Sequence, residues 1–313
     1  MPPSHTPSIA AIVPCYNEEL AIGKVVADLR EAVPEMAIYV YDNNSSDETA
    51  RVAREAGAIV RHESTKGKGN VVRRAFADVE ADIYVLIDGD DTYATRDLPR
   101  MIDALRSGPF DHVLGVRRQE TAGAYRPGHE LGNKGFNWFV SRVFKSRVED
   151  MLSGYRVFSR RFVKSFPALS REFEIETELT VHAMSLRVPQ VEVPVGFKDR
   201  PAGSESKLRT YHDGFRILSL IIGLIRHERP FLFYGIVGVL LALVALLIGA
   251  PVVAEYFQTG LVPRLPSALL SVGIAILAFL SWTIGLILDG VLKARREFSR
   301  LNYLTHAAVL GED

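Results

Sequence analysis

The residues best placed to do chemistry are the carboxylates that close an apolar run, Asp82-Ile83-Tyr84-Val85-Leu86-Ile87-Asp88-Gly89-Asp90-Asp91. A short stretch of branched and aromatic side chains that stops at acids reads as a buried strand delivering them to the carboxyl edge of a sheet. Open α/β folds place their ligands at that edge. Asp88 and Asp90, one residue apart, are comfortable together as anions only with positive charge between them, and Mg²⁺ or Mn²⁺ carrying a phosphorylated substrate is the usual solution. A strand-ending turn is the other reading, since Asp-Gly is a common turn pair.

Other chemically able groups fall at intervals along the chain. Gly67-Lys68-Gly69 lacks phosphate-binding P-loop spacing and reads as a flexible loop entering a helix whose first amides could face an anion, or as a simple turn. Arg117, Arg118, Arg126, His129 and Lys134 form a basic, glycine-containing stretch suited to a second anionic substrate or to a solvated face. Phe173-Glu174-Ile175-Glu176-Thr177-Glu178 places acids where a helix begins, which is favourable without any catalytic role. Lys198 to Lys207 is a polar connector from which Arg200 and Lys207 can reach an anion. Cys15 has no cysteine partner, which excludes an internal disulfide, and its place after an apolar run marks a packed structural thiol. The histidines show no zinc spacing.

The elements that position these groups alternate. Ser8 to Pro14 reads as a strand and Glu18 to Glu31 as a helix with Leu20, Val25, Val26 and Leu29 on its apolar side. A strand at Ala37 to Tyr41 leads to the polar loop Asp42 to Asp47. Asp47 can cap a helix that runs to Ala56 and is closed by Gly57. Ala58 to Val60 is a short strand, Asn70 to Val79 a helix and Ile83 to Ile87 the strand of the opening run. Asp97 to Arg106 reads as a helix, His112 to Val116 as a strand, Phe136 to Phe144 as an amphipathic helix and Val191 to Phe197 as a strand. This order predicts an α/β domain with a mainly parallel sheet covered by helices on both faces.

The 313 residues have ample material for a core, and Lys plus Arg balance Asp plus Glu at 37 each, so charge points to no nucleic acid partner. The N-terminal residues Met1 to Ser8 are polar and carry no signal-peptide pattern, so the first domain is expected to stay in the cytoplasm. From Leu208 to Arg229, apolar residues bracketed by basic ones fit an interfacial amphipathic helix. Two uncharged stretches follow, about 231–254 and 265–288, each long enough for a hydrocarbon core of roughly 30 Å, which takes about 20 helical residues. Arg226 and Arg229 precede the first; Lys293, Arg295, Arg296 and Arg300 follow the second. By the positive-inside rule both termini face the cytoplasm. The expected organisation is a cytosolic domain over 1–206, an interfacial helix over 207–229, two transmembrane helices within 230–292 and a cytosolic tail over 293–313.

Val13-Pro14-Cys15-Tyr16-Asn17-Glu18-Glu19, Asp42 to Asp47, Asp88-Gly89-Asp90, Ser153-Gly154-Tyr155-Arg156 and Arg200 to Leu208 occur in an order that resembles glycosyltransferase family 2. Within it the chain is most similar to the polyprenyl-phosphate branch typified by dolichyl-phosphate mannose synthase and its bacterial membrane-anchored relatives. The resemblance covers roughly residues 8 to 225. It implies a GT-A, Rossmann-like nucleotide-sugar domain in which Pro14, Tyr16, Glu18 and Asp42 line the nucleoside pocket. Asp88 and Asp90, with Gly89 between them, would hold Mg²⁺ or Mn²⁺ on the diphosphate of a UDP- or GDP-linked donor. Arg200 and Lys207 would contact phosphate, and Arg117 would lie between donor and lipid phosphate, with His129 and Asn133 at the acceptor phosphate. Two departures leave the donor open: relatives often carry a second Asp where this chain has Asn43, and the mannose synthases have Gln near Thr92.

The resemblance implies a hexosyltransferase of the cytoplasmic membrane that moves a sugar, with inversion, onto polyprenyl (undecaprenyl or dolichyl) phosphate. A phosphate monoester is largely dianionic at neutral pH, so no strong protein base is needed. The rival enzyme reading is transfer to a lipid or glycan hydroxyl with Glu176 as base. A non-catalytic membrane scaffold is the third, and homo-oligomerisation is left open.

Overall fold

Ile9 to Val13 is apolar at every position because the strand it forms is buried on both faces. The computed structural model describes residues 6–119, 148–168, 175–198, 222–223 and 225–309. From β1 (Ile9–Cys15) the chain winds outward through α1 (Ile22–Ala32), β2 (Ala37–Asp42), α2 (Thr49–Glu55) and β3 (Ile59–His62), each strand parallel to its neighbour. α3 (Lys68–Asp78) then carries it back to β4 (Ile83–Leu86), parallel to β1 on the other side. That reversal opens a crevice at the carboxyl ends of β1 and β4, the switch point where such sheets bind ligands. Cys15 ends one of these strands and Asp88 lies just beyond the other.

The chain continues through α4 (Leu98–Ser107), β5 (His112–Gln119), β6 (Arg156–Ser159), α5 (Arg160–Ser165), α6 (Ile175–Leu186) and β7 (Gln190–Phe197). The seven-stranded order is β3-β2-β1-β4-β6-β5-β7, with β6 alone antiparallel to its neighbours. One face is covered by α1, through Ile22, Val25, Val26 and Leu29, and by α4, through Leu98, Met101, Ile102 and Leu105. These are the i, i+3, i+4, i+7 positions of an amphipathic helix. Val71, Val72, Ala75 and Phe76 of α3 cover the other face with Phe162 and Leu179 from α5 and α6.

The mainly parallel, doubly covered sheet expected from the sequence is found, with local differences. The first helix starts at Ile22, not Glu18, because the Glu18 carbonyl closes a turn by accepting from the amides of Ala21 and Ile22. Leu20 is therefore 64% exposed in that turn instead of packing inward. β6 and α5 were not anticipated: four strand residues are too few to show a period.

The chain divides into two compact units, Met1–Leu208 with Phe298–Asp313, and Arg209–Glu297. Within the second, α7 (Pro230–Thr259) pairs with α8 (Leu265–Leu304), whose last turns belong to the first unit. Both helices are long and apolar enough to cross a membrane and run past the stretches expected from composition. The Oγ of Ser271 donates to the carbonyl of Ala245 and that of Ser281 to Tyr234, each at 2.8 Å, which is how helices associate where water is absent. Leu247, Leu269, Phe279 and Leu286 stay exposed, a surface suited to lipid. Most of the expected interfacial helix, 207–221 and 224, lies outside the described residues, as does 136–144.

Candidate active site

Four of the predicted acids converge at the end of β1. The buried Cys15 thiol has its pKa pushed well up, first by burial and then by the negative charges of Glu18, Asp42, Asp90 and Asp88. A thiol so placed is a packing group and not a nucleophile. Two glycines let the acids approach. A Cβ on Gly89 would strike Cys15 Sγ, and one on Gly154 would strike the Asp88 carboxylate. The Ser153-Gly154 turn therefore lies directly against Asp88.

On the β1–β2 side, two loops are laced together. The Asn17 amide donates to Ser45 Oγ at 3.0 Å, the Glu18 amide to Thr49 Oγ1 at 2.8 Å and the Ser46 amide to Asn17 Oδ1 at 2.8 Å. Asp47 accepts from the Thr49 amide at the start of α2, but the N-cap position is Glu48, whose side chain makes no cap bond, so Asp47 sits one residue before the cap expected of it. Asp42, buried at the end of β2, accepts from the Ser45 amide and pairs with His62. Lys66 sits 4.6 Å over the Tyr16 ring. Asn43 donates through Nδ2 to the carbonyls of Glu63 and Thr65 and accepts through Oδ1 from the Gly67 amide at 2.7 Å. A carboxylate has no proton for two carbonyls, so an amide is required here. Its effect is to fix the loop that starts α3.

That loop delivers Lys68, whose place between two glycines marked only a loop or turn entering a helix and assigned its side chain no role. Its ammonium is buried and bridges Asp88 Oδ1 to Glu176 Oε1. Burial alone would lower its pKa, but the carboxylates of Asp88 and Glu176 outweigh this and hold it above the ordinary lysine range. The positive charge that the acid pair demands is thus partly supplied by the protein. Asp90 is oriented by Thr92, which donates to its Oδ1 from the amide at 3.2 Å and from Oγ1 at 2.6 Å. Among the described residues no three His, Cys, Asp or Glu side chains form a metal-holding group. Two carboxylates at a strand edge nevertheless fit Mg²⁺ or Mn²⁺, which take one or two protein carboxylates and complete their shell with phosphate oxygens and water.

On the β5–β7 side, Arg117 makes a bidentate pair with Asp150, Nε to Oδ2 and Nη2 to Oδ1 both at 2.7 Å, and lies 5.3 Å from the Phe197 ring. The Gly154 amide donates to the Tyr93 hydroxyl at 2.9 Å. Burial pushes the Tyr93 pKa up to about 12, with Arg117 opposing and Asp88 adding to the rise, so Tyr93 feels the charge of both. Arg156 is fully buried and donates to the carbonyls of Ser153 and Met151 and to Thr180 Oγ1. Thr180 in turn donates to the Glu176 carbonyl. Arg156 therefore braces both the turn against Asp88 and the helix carrying Glu176. Burial lowers its pKa to about 10, which leaves it charged at neutral pH.

The structure thus brings together Glu18, Asp42, Asp88 and Asp90, with Pro14 and Tyr16 on the strand end and loop beside them and Gly89 packed beneath. Asp91 does more than end a turn: it pairs with Lys198 at 2.8 Å and with Lys24 at 3.3 Å, joining α1 to the end of β7. His129, Asn133, Arg126, Lys134, Arg200 and Lys207 lie outside the described residues. Lys68, Tyr93 and Asp150 were missed. The first carried only the signal of a lysine between glycines, and the other two carried none.

Residues 10–166 match the family described as Glycosyl transferase family 2. The chain is 33% identical over 233 residues to the glycosyltransferase AglJ of Haloferax volcanii, spanning 74% of this chain and 76% of that one. It is 28% identical over 221 residues to the dolichyl-phosphate hexose transferase of the same organism, spanning 71% of this chain and 95% of that one. Glucosyl-3-phosphoglycerate synthase from Mycobacterium tuberculosis, in a crystal structure with Mn²⁺, uridine diphosphate and glucosyl-3-phosphoglycerate, superposes with a TM-score of 0.57 at 20% identity over 70% of this chain and 79% of that one. At that identity the shared finding is the fold, the expected GT-A arrangement. With the acid site at the switch point and the family match across the whole of its sheet up to β6 and α5, the chain belongs to glycosyl transferase family 2.

Proposed function

We infer that the chain transfers a hexosyl group from a UDP- or GDP-linked sugar to polyprenyl phosphate, with inversion at the anomeric carbon and release of the nucleoside diphosphate. The observation that carries this reading is the Lys68 bridge: Glu176, the candidate base for a hydroxyl acceptor, is tied through a buried ammonium to Asp88. An acceptor that arrives already deprotonated suits such a site, and a phosphate monoester does. The name of the Haloferax volcanii hexose transferase and the two apolar helices support a lipid phosphate in that role.

In this reading Pro14, Tyr16, Glu18 and Asp42 hold the nucleoside. Asp88 and Asp90 would hold Mg²⁺ or Mn²⁺, which supplies positive charge to the departing diphosphate. Lys68 adds a fixed cation beside them. Arg117, steered by Asp150, orients the acceptor phosphate, joined by His129 and Asn133, while Arg200 and Lys207 neutralise phosphate from the connector. Holding two repelling phosphates in line is the main task, and positioning of this kind contributes much of a transfer barrier. The basic residues flanking the two helices support a site on the cytoplasmic face. The test is to incubate purified protein with polyprenyl phosphate, Mg²⁺ or Mn²⁺ and a panel of UDP- and GDP-sugars, reading lipids by mass spectrometry. A polyprenyl-phosphate hexose from one donor is expected, and no lipid product from any donor would overturn the reading.

One observation favours transfer to a hydroxyl instead: Glu176 Oε2 is buried without a hydrogen-bond partner among the described residues. Glu176→Gln separates the two. With a phosphate acceptor, Lys68 keeps its bond to Asp88 and turnover falls only a few-fold. Loss of ~10²–10⁴-fold with unchanged donor affinity, the signature of a missing general base, would favour the hydroxyl reading.

A further inference from the structure

The first unit ends at Leu208 and resumes at Phe298, so the apolar hairpin is an excursion whose returning end docks on the catalytic domain. The docking is specific. The Tyr303 hydroxyl donates to Asp111 Oδ2 at 2.6 Å, and its ring lies 4.8 Å from the guanidinium of Arg161 and 5.2 Å from that of Arg300. Asp111 is fully buried and also accepts from Ser159 Oγ at 2.6 Å and from both Nε and Nη2 of Arg161. Asn302 Nδ2 donates to the Lys164 carbonyl at 2.6 Å and Arg300 Nη1 to the Leu186 carbonyl at 3.0 Å. Tyr303 is 4% exposed, a depth that a frayed helix end does not reach.

Asp111, Ser159 and the start of β7 lie at the amino edge of the sheet, opposite the edge that carries Asp88 and Asp90. The cluster therefore has no hand in the acid site and needs another explanation. We propose that it is a second membrane tether: Tyr303 pegs the end of the second apolar helix into the catalytic domain, so that the domain is held to the membrane at both ends of the hairpin. A domain held twice explores less volume than one on a single connector, which raises its effective concentration toward acceptors in the bilayer. That consequence rests on the proposed lipid acceptor; the tether itself does not.

The tether is tested by cutting the first attachment. A protease recognition sequence inserted in the 199–207 connector of the full chain, reconstituted in phosphatidylcholine vesicles, allows cleavage followed by sedimentation. With Tyr303 intact the cut catalytic fragment should stay with the vesicles, and with Tyr303→Ala it should appear in the supernatant. Tyr303→Phe keeps the ring between the two guanidiniums, is too small a change to unfold the unit, and should release an intermediate fraction. Release of the fragment with Tyr303 intact would overturn the proposal. So would its retention in both variants, which would mean that something other than Tyr303 holds it. Because no sugar transfer is measured, failure here leaves the acceptor reading untouched.

Discussion

Asp90→Asn is expected to lower sugar transfer about a thousandfold while leaving the protein folded and inserted. The substitution isolates charge from shape. Asp90 Oδ1 accepts two bonds from Thr92, and an asparagine carbonyl oxygen accepts both in the same place, so the loop after β4 keeps its geometry. What is lost is the negative charge that, in the proposed function, would hold the divalent cation beside the departing diphosphate. Lewis-acid stabilisation of that kind is worth several kcal/mol, and about 4 kcal/mol corresponds to roughly a thousandfold in rate. Transfer assayed across a Mn²⁺ titration should show a plateau about a thousandfold lower than the parent's. Turnover above about a tenth of the parent at saturating Mn²⁺, less than 1.4 kcal/mol, would sink the assignment.

Arg156→Met is expected to act on stability and site together. The side chain is fully buried and its donors satisfy the carbonyls of Ser153 and Met151 and the hydroxyl of Thr180. Methionine fills a similar volume but leaves those acceptors without partners in a dry interior, at about 1–3 kcal/mol each where they cannot reach water. A total loss near 4 kcal/mol, about 10 °C in the unfolding midpoint of a domain this size, should be visible by circular dichroism of the detergent-solubilised protein. Because Arg156 ties the Ser153-Gly154 turn to the helix carrying Glu176, activity measured well below the midpoint should also fall. A midpoint within about 2 °C of the parent would show that the network contributes less than its burial implies.

Arg156 also illustrates what the sequence shows and hides. It stands in a motif that marks the family, yet nothing local distinguishes a buried brace from an arginine reaching for phosphate; burial decides, and burial is set by β6 packing between β4 and β5. The strands that frame the site were legible because they are covered on both faces and so read as apolar runs, and the acids at their ends were legible because charge is abrupt after such a run. Lys68 was not. Its partners lie 20 and 108 residues away, and only the fold makes a lysine flanked by glycines into the counter-charge of Asp88. Asn43 looked like a departure bearing on the donor. In the structure it is the amide that pins the Lys68 loop, a role its neighbours in sequence could not disclose.

The proposed function turns on attack by a lipid phosphate oxygen at the anomeric carbon. It is tested most directly with polyprenyl phosphate carrying ¹⁸O in its phosphate group and the donor identified from the panel. The expected product is a lipid heavier by one hexose that keeps all of the label, with a labelled hexose-phosphate fragment on dissociation and unlabelled nucleoside diphosphate. A lipid diphosphate sugar with released nucleoside monophosphate, or sugar recovered on a hydroxyl while the labelled lipid is unchanged, would contradict it.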